Sequence, residues 1–448
     1  MKKILVLLLV MALVMSFAVA CGNGGNGGGE DPNPGPDPIV SDDDVNPLAG
    51  TKITVILPDH EMDTIGLHRA KTEQFMEETG IEVELINKGW EAAADDILGD
   101  LASGGGSYDV IEFDNAWIAK FLANEWVIPL DEFITPDIRN GILPGLFNKF
   151  SVGGKCYGIA WNNDTRFYMY NDQMLEAAGI TEPPKTWDEV AAAAKALQSA
   201  KVSDGAYLDT YKQEQMGCNE LLFVIYSFGG ELVDGSGNPV ANTNAGVKEA
   251  YEFLAKAYKD KVFTPNALTV DYEEVADAFY AGSFPLFLQA WPGVYADSND
   301  DSTSKIAGQV KVADFSVSKT GAEQTVLTLP EAMAIPTTSQ NKEAAWEYIK
   351  YMSSMEFDKE RALAIGSLPI WSDLYNDPQL LALYPYWQQF GKQAQSAKGY
   401  PDILWVDDFA DVVAKVSQKI LAGNVSVAAG LDEMQRLLQD AKDNYVDE

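Results

Sequence analysis

The chain has 448 residues, of which 32 are Lys or Arg and 67 are Asp or Glu, so its formal net charge is −35. A surface this acidic repels nucleic acid and anionic lipid headgroups and favours solubility, so no nucleic-acid partner is expected. The part of the chain from about Thr51 onward holds roughly 400 residues, too many for one ordinary hydrophobic core, and predicts two domains.

The N-terminus has the features of an export signal. Two lysines precede an apolar run from Ile4 to Ala20, and Cys21 follows. The run is shorter than the roughly 20 apolar residues of a membrane-spanning helix, so residues 1–20 are predicted to be a signal peptide. Residues 18–22 (AVACG) resemble the lipobox of bacterial lipoproteins, which more often has leucine at position 18. The resemblance implies a lipid on Cys21 that anchors the protein to the outer face of the cytoplasmic membrane. An ordinary signal peptide with an incidental cysteine is the alternative.

The segment after Cys21 is built almost entirely of Gly, Asn, Asp and Pro. Such a composition buries too little apolar surface to offset the entropy lost on ordering. Residues 21–48 are therefore predicted to be a flexible linker between the lipid and the folded body.

The first part of the body predicts alternating strands and helices. Residues 53–57 are a continuous apolar run, which is typical of a buried strand, and the helix that follows ends at Gly80. Residues 81–85 alternate apolar side chains with glutamate, which predicts a strand with one solvated face. A helix near 91–102 and a strand from 109–111 come next. This spacing predicts an α/β sandwich with a largely parallel sheet.

The same alternation restarts at residues 166–170. Thr186 and Glu189 form a capping box at the start of an Ala-rich helix, and residues 284–289 predict a further strand. From about Trp346 the chain is mostly helical in pattern. Two α/β lobes followed by a helical C-terminal section are therefore expected.

Two cysteines remain after Cys21, namely Cys156 and Cys218. They could form one disulfide in an oxidising compartment, and two buried free thiols fit equally well. The sequence leaves both alternatives open.

Several short segments follow one another in a specific order between Lys52 and the C-terminus. They are FMEETGIEV at 75–83, YDVI at 108–111, YGIAWNNDTR at 157–166, PKTWDE at 184–189, GG at 229–230 and AAWEYI at 344–349. Together they resemble the family 1 extracellular solute-binding proteins, which include maltodextrin- and other sugar-binding receptors.

The resemblance implies an α/β, two-lobed periplasmic-binding-protein-like fold (type II) with a hinge between the lobes. It places lobe 1 at residues 49–164 and 326–367, and lobe 2 at 165–325 and 368–448. It also implies a monomer that delivers its ligand to the permease subunits of an ABC transporter. The family often has Gly-Gly-aromatic where this chain has Leu-Pro-Glu331, so a carboxylate here replaces a stacking surface.

The candidate ligand-binding residues are those whose chemistry suits a sugar. Aromatic faces suit the apolar C–H faces of a pyranose, and charged or amide groups suit its hydroxyls. Ligands of open α/β sheets lie outside the carboxyl ends of strands, which favours residues in the loops there. For Trp90 and Trp291, packing in the core is the competing interpretation. The predicted site residues are Asp59, His60, Trp90, Glu91, Asp114, Trp161, Asp164, Arg166, Asn219, Trp291, Glu331 and Trp371.

A glycoside-active enzyme is the main alternative of another class, because paired carboxylates can hydrolyse a glycosidic bond. With 67 acidic residues some pair is inevitable, so the presence of one carries no information. The two histidines, His60 and His68, do not lie beside a Ser or Cys nucleophile motif. Residues 297–301 lack the later Gly and Glu of a calcium loop, and neither a metal nor a cofactor is predicted. The sequence thus predicts a sugar or oligosaccharide receptor without enzyme activity. A receptor for a polyamine, a peptide or another polyol on the same fold is the alternative.

Overall fold

The computed structural model describes residues 46–393 and 397–445 of the chain. The predicted signal peptide, residues 1–20, and the predicted lipidation site Cys21 lie outside these residues. Most of the predicted linker, 21–48, also lies outside them. The following paragraphs concern the described residues.

The last three residues of the predicted linker, 46–48, contact the folded body. The Asn46 side-chain amide donates a hydrogen bond to the backbone oxygen of Thr79 at 2.8 Å. Leu48 packs against the hydrophobic core. Residues 46–48 are therefore in contact with the body, and the boundary of the linker stays a prediction.

The strands are β1 (Lys52–Pro58), β2 (Glu82–Lys88), β3 (Val110–Asp114), β4 (Ser151–Val152), β5 (Lys155–Cys156), β6 (Ile159–Asn162), β7 (Phe167–Asn171), β8 (Leu286–Ala290), β9 (Val310–Val312) and β10 (Glu331–Ala334). The helices before β8 are α1 (Glu61–Thr64), α2 (Leu67–Thr79), α3 (Trp90–Ala102), α4 (Ile118–Ala123), α5 (Pro136–Gly141), α6 (Pro144–Lys149), α7 (Asp172–Ala177), α8 (Trp187–Ala200), α9 (Gln215–Ser227), α10 (Ala245–Lys259) and α11 (Tyr272–Tyr280). Those after β8 are α12 (Pro292–Ser298), α13 (Lys342–Met352), α14 (Met355–Ile365), α15 (Pro378–Leu383), α16 (Trp387–Gln393), α17 (Val406–Leu421) and α18 (Val427–Asn444).

Lobe 1 is built on a five-stranded sheet in the order β2-β1-β3-β10-β6. Strand β1 pairs in parallel with both β2 and β3, whereas β10 runs antiparallel between β3 and β6. The interior of β1 is buried because its apolar run offers hydrophobic side chains to both faces of the sheet. The prediction of a largely parallel sheet is confirmed for this lobe, with β10 as the exception.

Lobe 2 is built on a three-stranded sheet in the order β8-β7-β9, in which β7 is antiparallel to both neighbours. Among the described residues of this lobe, parallel pairing occurs in isolated bridges, of Tyr207 with Phe263 and Leu286 and of Thr186 with Ser318. The largely parallel sheet predicted for the first part of the body is not repeated in this lobe. The alternation of strands and helices does not fix strand direction here, because the long connection between β7 and β8 can return the chain in either sense.

Two helix ends lie where the sequence predicted them, one at Gly80 and one at Thr186. Gly80 ends α2 in the left-handed conformation with φ 71°, which glycine adopts without steric cost. Thr186 and Glu189 form the capping box that starts α8. From α13 onward the chain is almost wholly helical, as predicted. Within the described residues, no helix combines the length and the apolar character needed to cross a membrane.

Two segments that connect the lobes lie side by side. The Arg166 N–H donates to the backbone oxygen of Leu327 at 2.9 Å, and the Leu329 N–H donates to that of Asp164 at 2.8 Å. At the third predicted boundary, 367/368, Trp371 still pairs with Ile142 of lobe 1, which favours a later crossing. The exact lobe boundaries stay a prediction.

Cys156 and Cys218 are both buried and free, so the disulfide alternative is excluded. Burial raises the pKa of Cys156 to about 11 and that of Cys218 to about 12. Both thiols are therefore uncharged at neutral pH and behave as small apolar side chains.

Candidate functional site

A cavity of about 390 Å³ lies between the two lobes. This volume is near the lower end of the roughly 300–1,000 Å³ that small-molecule sites occupy. All of the predicted site residues except Trp371 line it, and their role in ligand binding stays a prediction. The predicted residues that line the cavity are Asp59, His60, Trp90, Glu91, Asp114, Trp161, Asp164, Arg166, Asn219, Trp291 and Glu331.

Trp371 is not among the residues that line the cavity and instead packs against lobe 1. Its indole Nε1 donates to the backbone oxygen of Ser353 at 2.8 Å. The ring fills the space above Gly141, where an added Cβ would lie 2.1 Å from a ring carbon. The sequence prediction placed the crossing before Trp371, whereas the segment pairs with Ile142 first. The structure therefore does not bring Trp371 to the candidate site.

Strand direction explains why the lobe 1 residues meet at one edge of the sheet. Asp59 and His60 follow β1, Trp90 begins the helix after β2, and Asp114 ends β3. The carboxyl ends of these parallel strands lie at a common edge. Because β10 is antiparallel, its first residue, Glu331, reaches the same edge and pairs with Asp114.

Glu331 is the centre of a hydrogen-bond network on the lobe 1 side of the cavity. Trp90 Nε1 donates to Oε1 at 3.2 Å, and Asn162 Nδ2 donates to Oε2 at 2.6 Å. His60 Nε2 lies 3.3 Å from Oε2. Burial by itself raises the pKa of Glu331, but His60, Asn162 and Trp90 outweigh it and hold the pKa below its ordinary value. Glu331 is therefore ionised at neutral pH.

Trp161 lies beside the Glu331 network and contacts three other side chains. Its Nε1 donates to Glu112 Oε2 at 2.9 Å. The His60 ring meets it edge-on, with 4.8 Å between centroids, and the Arg361 guanidinium lies 5.8 Å from its ring. Trp161 is therefore a fixed wall of the cavity and is largely buried.

Two further carboxyl groups accompany Glu331 on the buried side of lobe 1. Burial, and then the charges of Glu331 and Asp114, raise the pKa of Glu112 well above its ordinary value. Burial also raises the pKa of Asp114 to about 7, despite the N–H of Ala116 that donates to it at 2.8 Å. Both shifts favour the protonated carboxyl, and Asp114 is close to half-protonated at neutral pH.

Arg166 supplies the positive charge of the lobe 2 wall. Its guanidinium donates to Asp164 at 2.8 Å and lies 3.8 Å from Glu220. It also lies over the rings of Tyr272 at 4.9 Å and Trp291 at 5.4 Å, distances at which cation–π attraction operates. Burial disfavours the charged form, but Asp164, Tyr272 and Glu220 outweigh it and raise the pKa of Arg166. Arg166 therefore stays cationic. It contacts the rings of Tyr272 and Trp291 as well as the carboxylates of Asp164 and Glu220.

Glu220 is a buried carboxyl group that contacts both Arg166 and Tyr272. Its Oε1 accepts a hydrogen bond from the Tyr272 hydroxyl at 2.9 Å. Burial and then the charge of Glu220 raise the pKa of Asp209 well above its ordinary value, so the buried environment of this pair disfavours two negative charges.

Asp59 and Glu91 lie at the exposed rim of the cavity. Burial, followed by repulsion from Glu214 of lobe 2 and from Asp95, raises the pKa of Glu91. Burial, followed by repulsion from Asp63, raises the pKa of Asp59. The lobe 1 side of the entrance is therefore acidic.

Sequence reasoning missed several residues that line the cavity, above all Tyr272, Arg361 and Asn162. Tyr272 begins α11 directly after its capping residue Asp271, and helix starts of this kind also supply Trp90. That signal could have found it. Arg361 lies in the middle of α14, where its pairing with Asp358 at 3.0 Å looks like an ordinary helix ion pair in the sequence. No local pattern marks it as a site residue.

The comparisons with known proteins agree with this geometry. The sequence profile described as bacterial extracellular solute-binding protein matches residues 65–359. A probable amino-acid ABC transporter periplasmic-binding protein of Sinorhizobium fredii is 27% identical over 324 residues, which cover 70% of this chain and 72% of that protein.

Two solved structures share the fold. Maltose-bound MalE3 of T. maritima has a TM-score of 0.78 and 24% identity, and the match covers 87% of this chain and 99% of that one. A ribitol complex of an ABC transporter solute-binding protein from Agrobacterium radiobacter has a TM-score of 0.78 and 20% identity, covering 88% and 99%. The two-lobed periplasmic-binding fold predicted from the sequence is confirmed. The chain belongs to the bacterial extracellular solute-binding proteins.

Proposed function

We propose that this chain is the substrate-binding lipoprotein of an ABC importer and that it binds a sugar or oligosaccharide between its lobes. The observation that carries the proposal is the pairing of aromatic rings from both lobes in one cavity. Trp90 and Trp161 come from lobe 1, and Tyr272 and Trp291 come from lobe 2. Rings of this kind, beside carboxylates and amides, match the apolar faces and hydroxyl groups of a pyranose.

Hinge closure follows from the two-sided cavity. A ligand that contacts both lobes favours the arrangement in which both contacts are made, by its difference in affinity between the open and closed forms. The closed receptor then delivers its solute to the permease subunits of the transporter. The receptor acts as a monomer and releases its solute chemically unchanged.

The anchor is a lipid on Cys21, which lies outside the described residues. A lipid there would keep the receptor at the outer face of the cytoplasmic membrane, close to the transporter. Cys21→Ser should release the protein into the soluble extracytoplasmic fraction and abolish incorporation of labelled fatty acid. Cys156→Ser, which changes a buried thiol, is the matched control and should stay with the membrane. Retention of Cys21→Ser at the membrane would contradict the anchor.

A thermal-shift screen against mono- and oligosaccharides tests the ligand class. A ligand that binds the native state raises the melting temperature by mass action. We expect a selective set of saccharides to raise it, and chromatography of the recovered ligand should show no cleavage. Polyamines and peptides belong in the same screen. A shift with one of these and with no saccharide would replace the sugar proposal by the other receptor class, and a cleaved saccharide would indicate an enzyme.

A further inference from the structure

Two carboxylates face each other on the lobe 1 side of the cavity. Asp114 and Glu331 are direct partners in the antiparallel pairing of β3 with β10. Each is 4% exposed, and both line the cavity. Directly paired residues of adjacent strands point to the same face of the sheet, and like charges placed in this way destabilise it. A positive charge brought between them would relieve this repulsion.

The two arginines that line the cavity are already engaged elsewhere. Arg166 is paired with Asp164 and Glu220, and Arg361 is paired with Asp358. Among the ion pairs of the described part of the chain, none includes Asp114, whose hydrogen bonds come from the N–H of Ala116 and the amide of Asn115. Among the described residues, Asp114 therefore has no salt-bridge partner, although the more distant charge of Lys149 acts on it.

Unsatisfied acceptors in the same cavity give an independent indication of a ligand rich in donors. Asn115 of lobe 1 and Asn219 of lobe 2 both line the cavity and are 2% and 8% exposed. The Oδ1 atom of each has no hydrogen-bond partner among the described residues. A buried acceptor without a donor is costly, so the bound state is expected to supply N–H or O–H groups there.

We propose that the solute is a sugar that carries a primary ammonium group, an amino sugar or a short oligomer of one, with this group between Asp114 and Glu331. The inference rests on the proposed saccharide function and narrows its ligand class. An ammonium group offers three hydrogen-bond donors and a full positive charge, which the paired carboxylates can accept. The aromatic rings of the two lobes remain available for the sugar ring.

Calorimetry with matched ligands, slightly below neutral pH, tests this inference. The disaccharide of glucosamine carries two ammonium groups, its N-acetylated form carries none, and cellobiose is a neutral analogue. Spermidine carries ammonium groups without a sugar ring. We expect the amino disaccharide to bind at least about tenfold more tightly than either neutral disaccharide, the usual effect of a charge-assisted hydrogen bond.

The variants separate the ammonium site from the sugar site. Asp114→Asn should remove the preference for the amino disaccharide, whereas Glu82→Gln, an exposed change in β2, should retain it. If melting curves show that Asp114→Asn does not fold, Glu331→Gln makes the same test. Neutral disaccharides that bind as tightly as the amino form would overturn this inference and leave the proposed function intact. Spermidine binding without any saccharide binding would overturn both.

Discussion

The indole of Trp90 donates through Nε1 to the Oε1 atom of Glu331 at 3.2 Å, which joins the start of α3 to the start of β10. The Trp90 ring also contacts Trp117, with 5.5 Å between the ring centroids. A ring held at its edge by a hydrogen bond and packed against a second ring has little rotamer freedom left. Ligand binding then loses less entropy than it would with a mobile side chain.

A double-mutant cycle tests whether the hydrogen bond between Trp90 and Glu331 contributes to ligand binding. Trp90→Phe keeps an aromatic face but removes the donor, and Glu331→Gln removes the charge that strengthens the bond. Each change alone should weaken saccharide binding, and we expect a coupling energy of at least about 0.5 kcal/mol between them, because residues in contact are not additive. Calorimetric affinities of the wild type, both single variants and the double variant give this number. Additive losses would show that the bond does not position Trp90.

Trp291 is expected to supply a stacking surface from lobe 2. It lies at the cavity wall beside Arg166 and 5.3 Å from the Tyr272 ring. Trp291→Ala should weaken saccharide binding by about 1–3 kcal/mol through loss of the stack and its buried area. Trp291→Phe should recover part of the loss. Trp371→Phe, at a tryptophan away from the cavity, should leave affinity unchanged, and an equal effect of the two tryptophan positions would contradict the assignment.

Asp358 should contribute more to stability than an exposed acid of the same kind. Its Oδ1 pairs with Arg361, and its Oδ2 accepts hydrogen bonds from the N–H groups of Ile370 and Trp371. Asp358→Ala leaves a buried guanidinium unpaired and should lower the free energy of unfolding by about 3–5 kcal/mol. Asp440→Ala breaks the exposed pair with Arg436 and should cost less than about 0.5 kcal/mol. Urea unfolding measures both, and equal losses would contradict the structural role of Asp358.

The stability of the ligand-free protein should depend on pH through Asp114. Burial raises the pKa of Asp114 from 3.8 to about 7, so between these values the folded state binds more protons than the unfolded state. Below pH 3.8 Asp114 is protonated in both states, and its contribution to the free energy of unfolding is fully present. As the pH rises toward about 7, the unfolded state ionises more readily than the folded state, and this contribution is lost. Asp114→Asn removes this loss, since asparagine does not titrate.

We therefore expect the variant to gain stability relative to the wild type across this pH range, by up to about 4 kcal/mol, and the gain to level off above it. Glu112, Glu331 and Lys149 are present in both proteins, so only the part of their titration that depends on the charge of Asp114 enters the difference. Urea unfolding at a series of pH values gives the two curves. A difference that does not change with pH would show that Asp114 titrates normally.

The lobe 1 side of the site was predictable because strand ends can be read from the sequence. Apolar and alternating patterns located β1, β2 and β3, and the residues that follow parallel strands must share one edge. Glu331 was noticed only as a departure from the family pattern. Its position opposite Asp114 depends on the antiparallel direction of β10, which neither local pattern nor spacing indicates.

The lobe 2 side was less predictable because it depends on long-range packing. The direction of β7 relative to β8 follows from a connection of more than a hundred residues, and the pattern of strands and helices does not indicate it. Arg361 reaches Trp161 from 200 residues further along the chain, so no local signal could show that contact. Trp371 was misplaced for the same reason, because its partner Ile142 lies far before it in the sequence.

Titration calorimetry of the purified protein with the saccharides selected by the thermal screen tests the central claim most directly. We predict saturable binding of one saccharide per chain, a weaker affinity for Trp291→Ala, and recovery of the ligand intact. Absence of saturable heat with every saccharide, while a peptide or a polyamine binds, would contradict the account, and so would release of a cleaved sugar.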